Sequence, residues 1–141
     1  MILIINGPNL NLLGRRQPEI YGSQSFDDYL DELKAAFPDR EIIYFQSNCE
    51  GEIIDTLQQF GFDPECEGIV INPGAYAHYS FAIADALACI EKIIVEVHVS
   101  NILAREEFRH TSVTAAHATA VISGMGLHGY RQALQFIFHK S

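Results

Sequence analysis

Ile93-Ile94-Val95-Glu96-Val97-His98-Val99-Ser100-Asn101 reads as a β-strand: β-branched residues dominate it, and valines hold every second position. A two-residue period puts Glu96, His98 and Ser100 on one face. A carboxylate and an imidazole left bare in an apolar interior cost several kcal/mol. The pair must therefore satisfy each other or open onto a cleft; otherwise the segment is a salt-bridged, half-exposed edge strand. A carboxylate that holds one imidazole nitrogen leaves the other aimed and ready to move a proton, which suits general acid–base catalysis.

On either side of this stretch, strand and helix alternate. Apolar runs predict strands over residues 2–5, 42–45, 68–71, 92–99 and, more weakly, 118–123. Helices are expected over residues 25–37, with Ser25 as N-cap, over 50–60, with Gly61 as C-cap, over 78–89 and over 126–138, with about one helical turn at 103–108. Residues 10–24 show neither period and are punctuated by Gly14, Pro18 and Gly22, as a functional lid would be. Five such alternations, without repeats or linkers, predict one domain over residues 1–141: a doubly wound, three-layer α/β sandwich on a five-stranded parallel sheet. The commonest strand order of this kind is 2-1-3-4-5, with ligands at the carboxyl ends of strands one and three.

Composition narrows the partners. The formal net charge is -9 with only 9 Lys and Arg residues, which argues against nucleic acid and anionic membrane. The few cations are partly clustered, at Arg15-Arg16 and at Arg105 and Arg109, as a local anion site requires. Cys49, Cys66 and Cys89 are odd in number and show no CxxC spacing, so neither a disulfide framework nor a zinc knuckle is expected. The apolar N-terminus is too short for a signal peptide, and the expectation is a reducing, cytoplasmic setting.

The expected carboxyl ends of strands one, three and four carry Asn6 and Asn9, Asn72, and His98 with Ser100. Hydrogen-bonding chemistry thus collects where this fold places a ligand. The lid adds Arg16 and Tyr21, either a surface stacking pair or a phenolate base with its guanidinium. Free tyrosine titrates near pH ~10, so a phenolate at neutrality needs about 4 kcal/mol of differential stabilisation. A closed lid with two arginines supplies that better than one exposed arginine, and Arg109 is the candidate for the second. His78 and Asp85, seven residues apart on the expected helix, lie on one face about 10 Å apart. Asp85 is then either a structural surface acid or part of a site in a neighbouring subunit. Gly124-Met125-Gly126-Leu127-His128-Gly129 matches GxGxxG but lacks the following strand and acidic residue, so a tight strand-to-helix turn is the better reading.

Five stretches together carry a family resemblance: residues 6–14 with Arg16, Pro18, Tyr21 and Gly22; 46–51; 71–76; 96–101; and 104–110. In order and over essentially the whole chain they resemble type II 3-dehydroquinate dehydratase, the type II dehydroquinases. The resemblance implies a flavodoxin-like domain that dehydrates 3-dehydroquinate to 3-dehydroshikimate through an enolate, without metal, cofactor or Schiff base, in aromatic biosynthesis or quinate breakdown. It implies Tyr21 as the base at carbon 2, held as phenolate by Arg16, with Asn9 supporting the enolate oxygen. His98, aligned by Glu96, becomes the general acid for the departing hydroxyl. Asn72, Ser100 and the backbone of Val99 become the carboxylate site. His78 and Arg109 take ring hydroxyls, joined by Asp85 of an adjacent subunit in a dodecamer built from trimers. Leu103, Ala84 and Tyr79 depart from the family's usual histidine, arginine and threonine, at positions carrying none of these roles.

Two other classes compete. A flavodoxin-like binding or signalling module needs a phosphoacceptor cluster or a phosphate loop, whereas these strand ends carry asparagines and a long lid. A catalytically dead assembly protein sits poorly with every motif position being filled.

Overall fold

Five strands, β1 (Ile2–Asn6), β2 (Ile42–Gln46), β3 (Gly68–Asn72), β4 (Ile93–His98) and β5 (Ala120–Ser123), form one parallel sheet in the computed structural model, which describes residues 1–140. Their spatial order is β2-β1-β3-β4-β5, as expected from the alternation. The helices are α1 (Pro18–Tyr21), α2 (Phe26–Ala36), α3 (Glu50–Gly61), α4 (Phe81–Ala88) and α5 (His128–Lys140). α2 and α5 cover one sheet face, over Ile2, Ile4, Val70, Val95 and Val97. α3 and α4 cover the other, over Leu3, Ile5, Ile69, Ile71 and Ile94. β1 and β3 are buried on both faces, which is why they read as unbroken apolar runs. Among the described residues no helix is long and apolar enough to cross a membrane.

β4 pairs with β3 on one side and β5 on the other, so it is interior, and the edge-strand alternative fails. Its valines face α2 and α5, while Glu96 and His98 share the face of Ile94.

Several boundaries differ from the sequence expectation, each for a local reason. The lid is not structureless: residues 10–12 make a 3-10 turn, and Pro18 opens the four-residue α1, too short for a period to register. Gly61 is inside α3 rather than at its C-cap; a Cβ there would lie 2.6 Å from Ile90 Cγ1, so packing is what asks for glycine. The helix expected from residue 78 begins only after Ser80, whose Oγ accepts from Ile83 N. His78 instead closes a 3-10 turn over Gly74–His78, so it and Asp85 do not share a helix. The glycine-rich stretch after β5 is the tight turn expected: Gly124 N and Gly126 N donate to the carbonyls of His98 and Val99 and are not free to cradle a phosphate.

Candidate active site

The loops after β1 and β3 interlock at the carboxyl edge of the sheet. Gly7 N donates to Asn72 O at 2.8 Å, and a Cβ on Gly7 would stand 2.4 Å from Pro73 O. That close approach seats Asn9 and Asn72 beside the end of β4, and with the lid they line a cleft open to solvent. Asn9, Arg16, Tyr21, Asn72, His78, His98, Val99, Ser100 and Arg109 all line it, together with Arg105. The sequence-predicted residues are thus brought together, with two exceptions. Glu96 lies behind the wall, fully buried, in contact with His98. Asp85 is exposed on α4 and does not line the cleft of its own chain.

Glu96 and His98 do both things the sequence left open: they satisfy each other, and His98 faces the cleft. His98 Nε2 donates to Glu96 Oε2 at 2.8 Å, leaving Nδ1 as the nitrogen free to exchange a proton with a ligand. The carboxylate is otherwise fully engaged, with Ser112 Oγ donating to Oε2 at 2.7 Å and Thr114 Oγ1 donating to Oε1. Burial pushes the Glu96 carboxyl up, but the hydrogen bonds from His98, Thr114 and Ser112 and the attraction of His98 outweigh it and hold it below the ordinary carboxyl range. An ionised carboxylate therefore stands directly behind the His98 imidazole. Sequence reasoning missed Ser112 and Thr114; the hydroxyl-rich run Thr111-Ser112-Val113-Thr114 was the available signal.

His78 stacks on His98 with ring centroids 6.2 Å apart, yet its surroundings push the other way. Burial, then His98 and Arg109, lower its tendency to protonate, against the raising effect of its bond to Thr111. Its Nδ1 donates to the Thr111 carbonyl at 2.9 Å, so the neutral ring presents Nε2 as an acceptor, suited to a ligand hydroxyl.

Tyr21 is 9% exposed, not a surface residue. Arg16 stacks over its ring, with Cζ 4.9 Å from the centroid, so the stacking half of the bland alternative holds. The guanidinium on the hydroxyl is neither Arg16 nor Arg109: Arg105 Nη1 donates to Tyr21 Oη at 2.7 Å and to Ser100 Oγ at 3.2 Å. Arg109 instead donates to Glu106 Oε2 at 2.7 Å while lining the cleft. Three guanidiniums therefore meet at one opening of an acidic chain, a place for an anion.

The polar floor is anchored from below. Asn72 Nδ2 donates to Tyr130 Oη at 2.9 Å, and Asn72 Oδ1 accepts from Gly74 N at 3.1 Å. Tyr130 Oη donates in turn to Asn6 Oδ1 at 2.7 Å. One proton of the Asn72 amide remains for a ligand, with the amide plane already fixed. Asn9, at a left-handed φ of 68°, has its backbone N–H bound by Asn48 Oδ1 at 3.0 Å, which leaves its side chain at the cleft. Among the described residues no group of three or more His, Cys, Asp and Glu side chains is placed to hold a metal ion.

Relatives share this arrangement's frame. The sequence profile of the family described as Dehydroquinase class II matches residues 1–138. A 3-dehydroquinate dehydratase of Lachnoclostridium phytofermentans is 53% identical over 138 residues, covering 96% of this chain and 94% of the relative. The crystal structure of a type II dehydroquinase from Butyrivibrio crossotus superposes with a TM-score of 0.91 at 46% identity, covering 97% of this chain and 96% of that one. A second, from Propionibacterium acnes, gives a TM-score of 0.91 at 44% identity over 96% and 94% of the two chains. At these identities and coverages, the chain belongs to the class II dehydroquinase family.

Proposed function

We propose that the protein is a hydro-lyase that dehydrates 3-dehydroquinate to 3-dehydroshikimate through an enolate. The observation that carries the reading is the presence of two prepared groups on the lining of one cleft: Tyr21 with a guanidinium on its oxygen, and His98 backed by a buried carboxylate.

Ionised Tyr21 removes the proton on carbon 2. The electron pair enters the adjacent ketone, and the enolate oxygen that results is supported by Asn9, directly or through water. As the enolate collapses, a double bond forms between carbons 1 and 2, and the carbon 1 hydroxyl departs as water with a proton from His98 Nδ1. Glu96 holds that imidazole turned toward the cleft. The substrate carboxylate meets Asn72, Ser100 and the backbone of Val99, while His78 and Arg109 take ring hydroxyls. Arg105 holds the phenolate, and Arg16 covers its ring as the lid closes. Asp85 serves the cleft of a neighbouring subunit, in a dodecamer of trimers, because its own lies out of reach. Every proton moved in these steps has a side chain to move it.

The test is the rise in ultraviolet absorbance of the conjugated enone when purified protein meets 3-dehydroquinate. No rise at any pH between roughly 6 and 9 removes the reading. Tyr21→Phe and His98→Ala are each expected to fold normally and to lose at least ~100-fold in kcat. A Tyr21→Phe enzyme of near-native rate would overturn the assignment of the base.

A further inference from the structure

The run Thr111-Ser112-Val113-Thr114 touches the supports of both stacked imidazoles without lining the cleft. Thr111 O accepts from His78 Nδ1, and Val113 N donates to Ala77 O at 2.7 Å, which pins the run beneath the turn that carries His78. One residue on either side of Val113, the hydroxyls of Ser112 and Thr114 donate to the two oxygens of Glu96. Thr114 is fully buried, and Ser112 Oγ is itself fixed by accepting from Ala115 N at 3.1 Å. A buried carboxylate needs such donors simply to be tolerated. Their placement does more than that. With Oε1 tied to Thr114, the carboxylate has a set rotation, and the remaining lone pair of Oε2 is presented to His98 Nε2.

We propose that Ser112 and Thr114 are positioning residues of the dehydration: their hydroxyls fix the rotation of the Glu96 carboxylate and, through it, aim the second nitrogen of His98 into the cleft. The inference rests on His98 being the acid of the proposed reaction. Other groups face His98 as well: His78 from the turn after β3, Arg105 and Arg109 from the turns after β4, and Arg16 and Tyr21 from the lid. None of them bonds to Glu96, and neither hydroxyl carries charge, so replacing Ser112 or Thr114 leaves every charge around His98 in place; Ser112→Ala also releases Ala115 N, which makes Thr114 the cleaner position to change.

The experiment compares Thr114→Val, Ser112→Ala and the conservative Thr114→Ser in the full-length protein. It reads kcat and KM across pH, and the titration of the Glu96 carboxyl by carbon-13 NMR, its signal identified by its loss in Glu96→Gln. A carboxylate with one donor fewer takes up a proton more readily. The acid limb of kcat in Thr114→Val is therefore expected to move up by about one pH unit, with the Glu96 midpoint moving the same way. Near neutrality kcat falls roughly fivefold while KM stays within about twofold. Thr114→Ser restores the limb. A Thr114→Val protein with a lower melting temperature but an unmoved pH profile and Glu96 titration overturns the proposal, because the hydroxyl then serves packing alone. Should Thr114→Val fail to fold, Ser112→Ala decides by the same two measurements. If the wild-type chain shows no dehydration at all, the functional reading fails, and the carboxyl titration still judges the geometry.

Discussion

Glu96 is a fully buried carboxylate held by His98, Ser112 and Thr114. Its folded-state carboxyl sits below the ordinary value, because the hydrogen bonds outweigh burial. Ionised Glu96 therefore favours the folded chain above about pH 4.3, where an unfolded glutamate is also ionised, and this advantage is lost as pH falls through the lower folded value. Glu96→Gln is expected to be less stable than wild type at neutral pH by roughly 1–3 kcal/mol, with the gap narrowing on acidification toward pH ~3. Urea unfolding at both pH values measures it; a gap that does not narrow would mean the carboxylate is not the source. The Glu96–His98 pair could be read from the two-residue period alone. Its hydroxyl partners could not, because Ser112 and Thr114 reach it across 16 and 18 residues of chain. The choice between Arg105 and Arg109 was equally hidden. In a continuous helix the two would share a face, but extended backbone at Arg105 and Glu106 separates two short 3-10 turns. That break lets Arg105 reach Tyr21 while staying 3.8 Å from Glu106, and leaves Arg109 hydrogen-bonded to Glu106.

The pairing of the β1 and β3 loops is what turns a generic sheet edge into a cleft. Gly7 permits it, since the atom a Cβ would strike is backbone carbonyl, not a side chain that could swing aside. Gly7→Ala is expected to cost about 2–3 kcal/mol in stability and to lower kcat, by pushing the segments bearing Asn9 and Asn72 apart. Thermal melts and steady-state rates on the one variant check both effects; a stable variant of full activity would mean the loops part without consequence. Strand number and strand order followed from the sequence, because buried parallel strands advertise themselves as aliphatic runs. The start of α4 did not. Tyr76 O accepts from both Tyr79 N and Ser80 N, so a tight turn precedes the true N-cap, and apolar spacing does not distinguish that turn from helix. α1 escaped notice for another reason: it is only four residues long, and its N-cap, Gln17, adopts a left-handed φ of 40° that no periodicity encodes.

One chain presents a cleft without the acid that the proposed site calls for, and it leaves large apolar side chains exposed. Tyr79, Phe81, Leu103 and Phe108 are all exposed, with Phe81 and Asp85 on the outward side of α4. An assembly in which Asp85 enters a neighbour's cleft gives both features a purpose, and it makes a prediction that a self-sufficient monomer does not. Asp85→Ala and Tyr21→Phe oligomers are each expected to be nearly inactive. When the two variants are dissociated in denaturant and refolded together, some clefts combine a Tyr21-bearing subunit with an Asp85-bearing neighbour. Activity should return in the mixture and stay absent in either variant refolded alone. Light scattering on the same samples would show a mass near twelve protomers of 15.8 kDa. Mixed oligomers of that mass without recovered activity would place Asp85 outside the reaction, and its exposure on α4 would then be that of an ordinary surface acid.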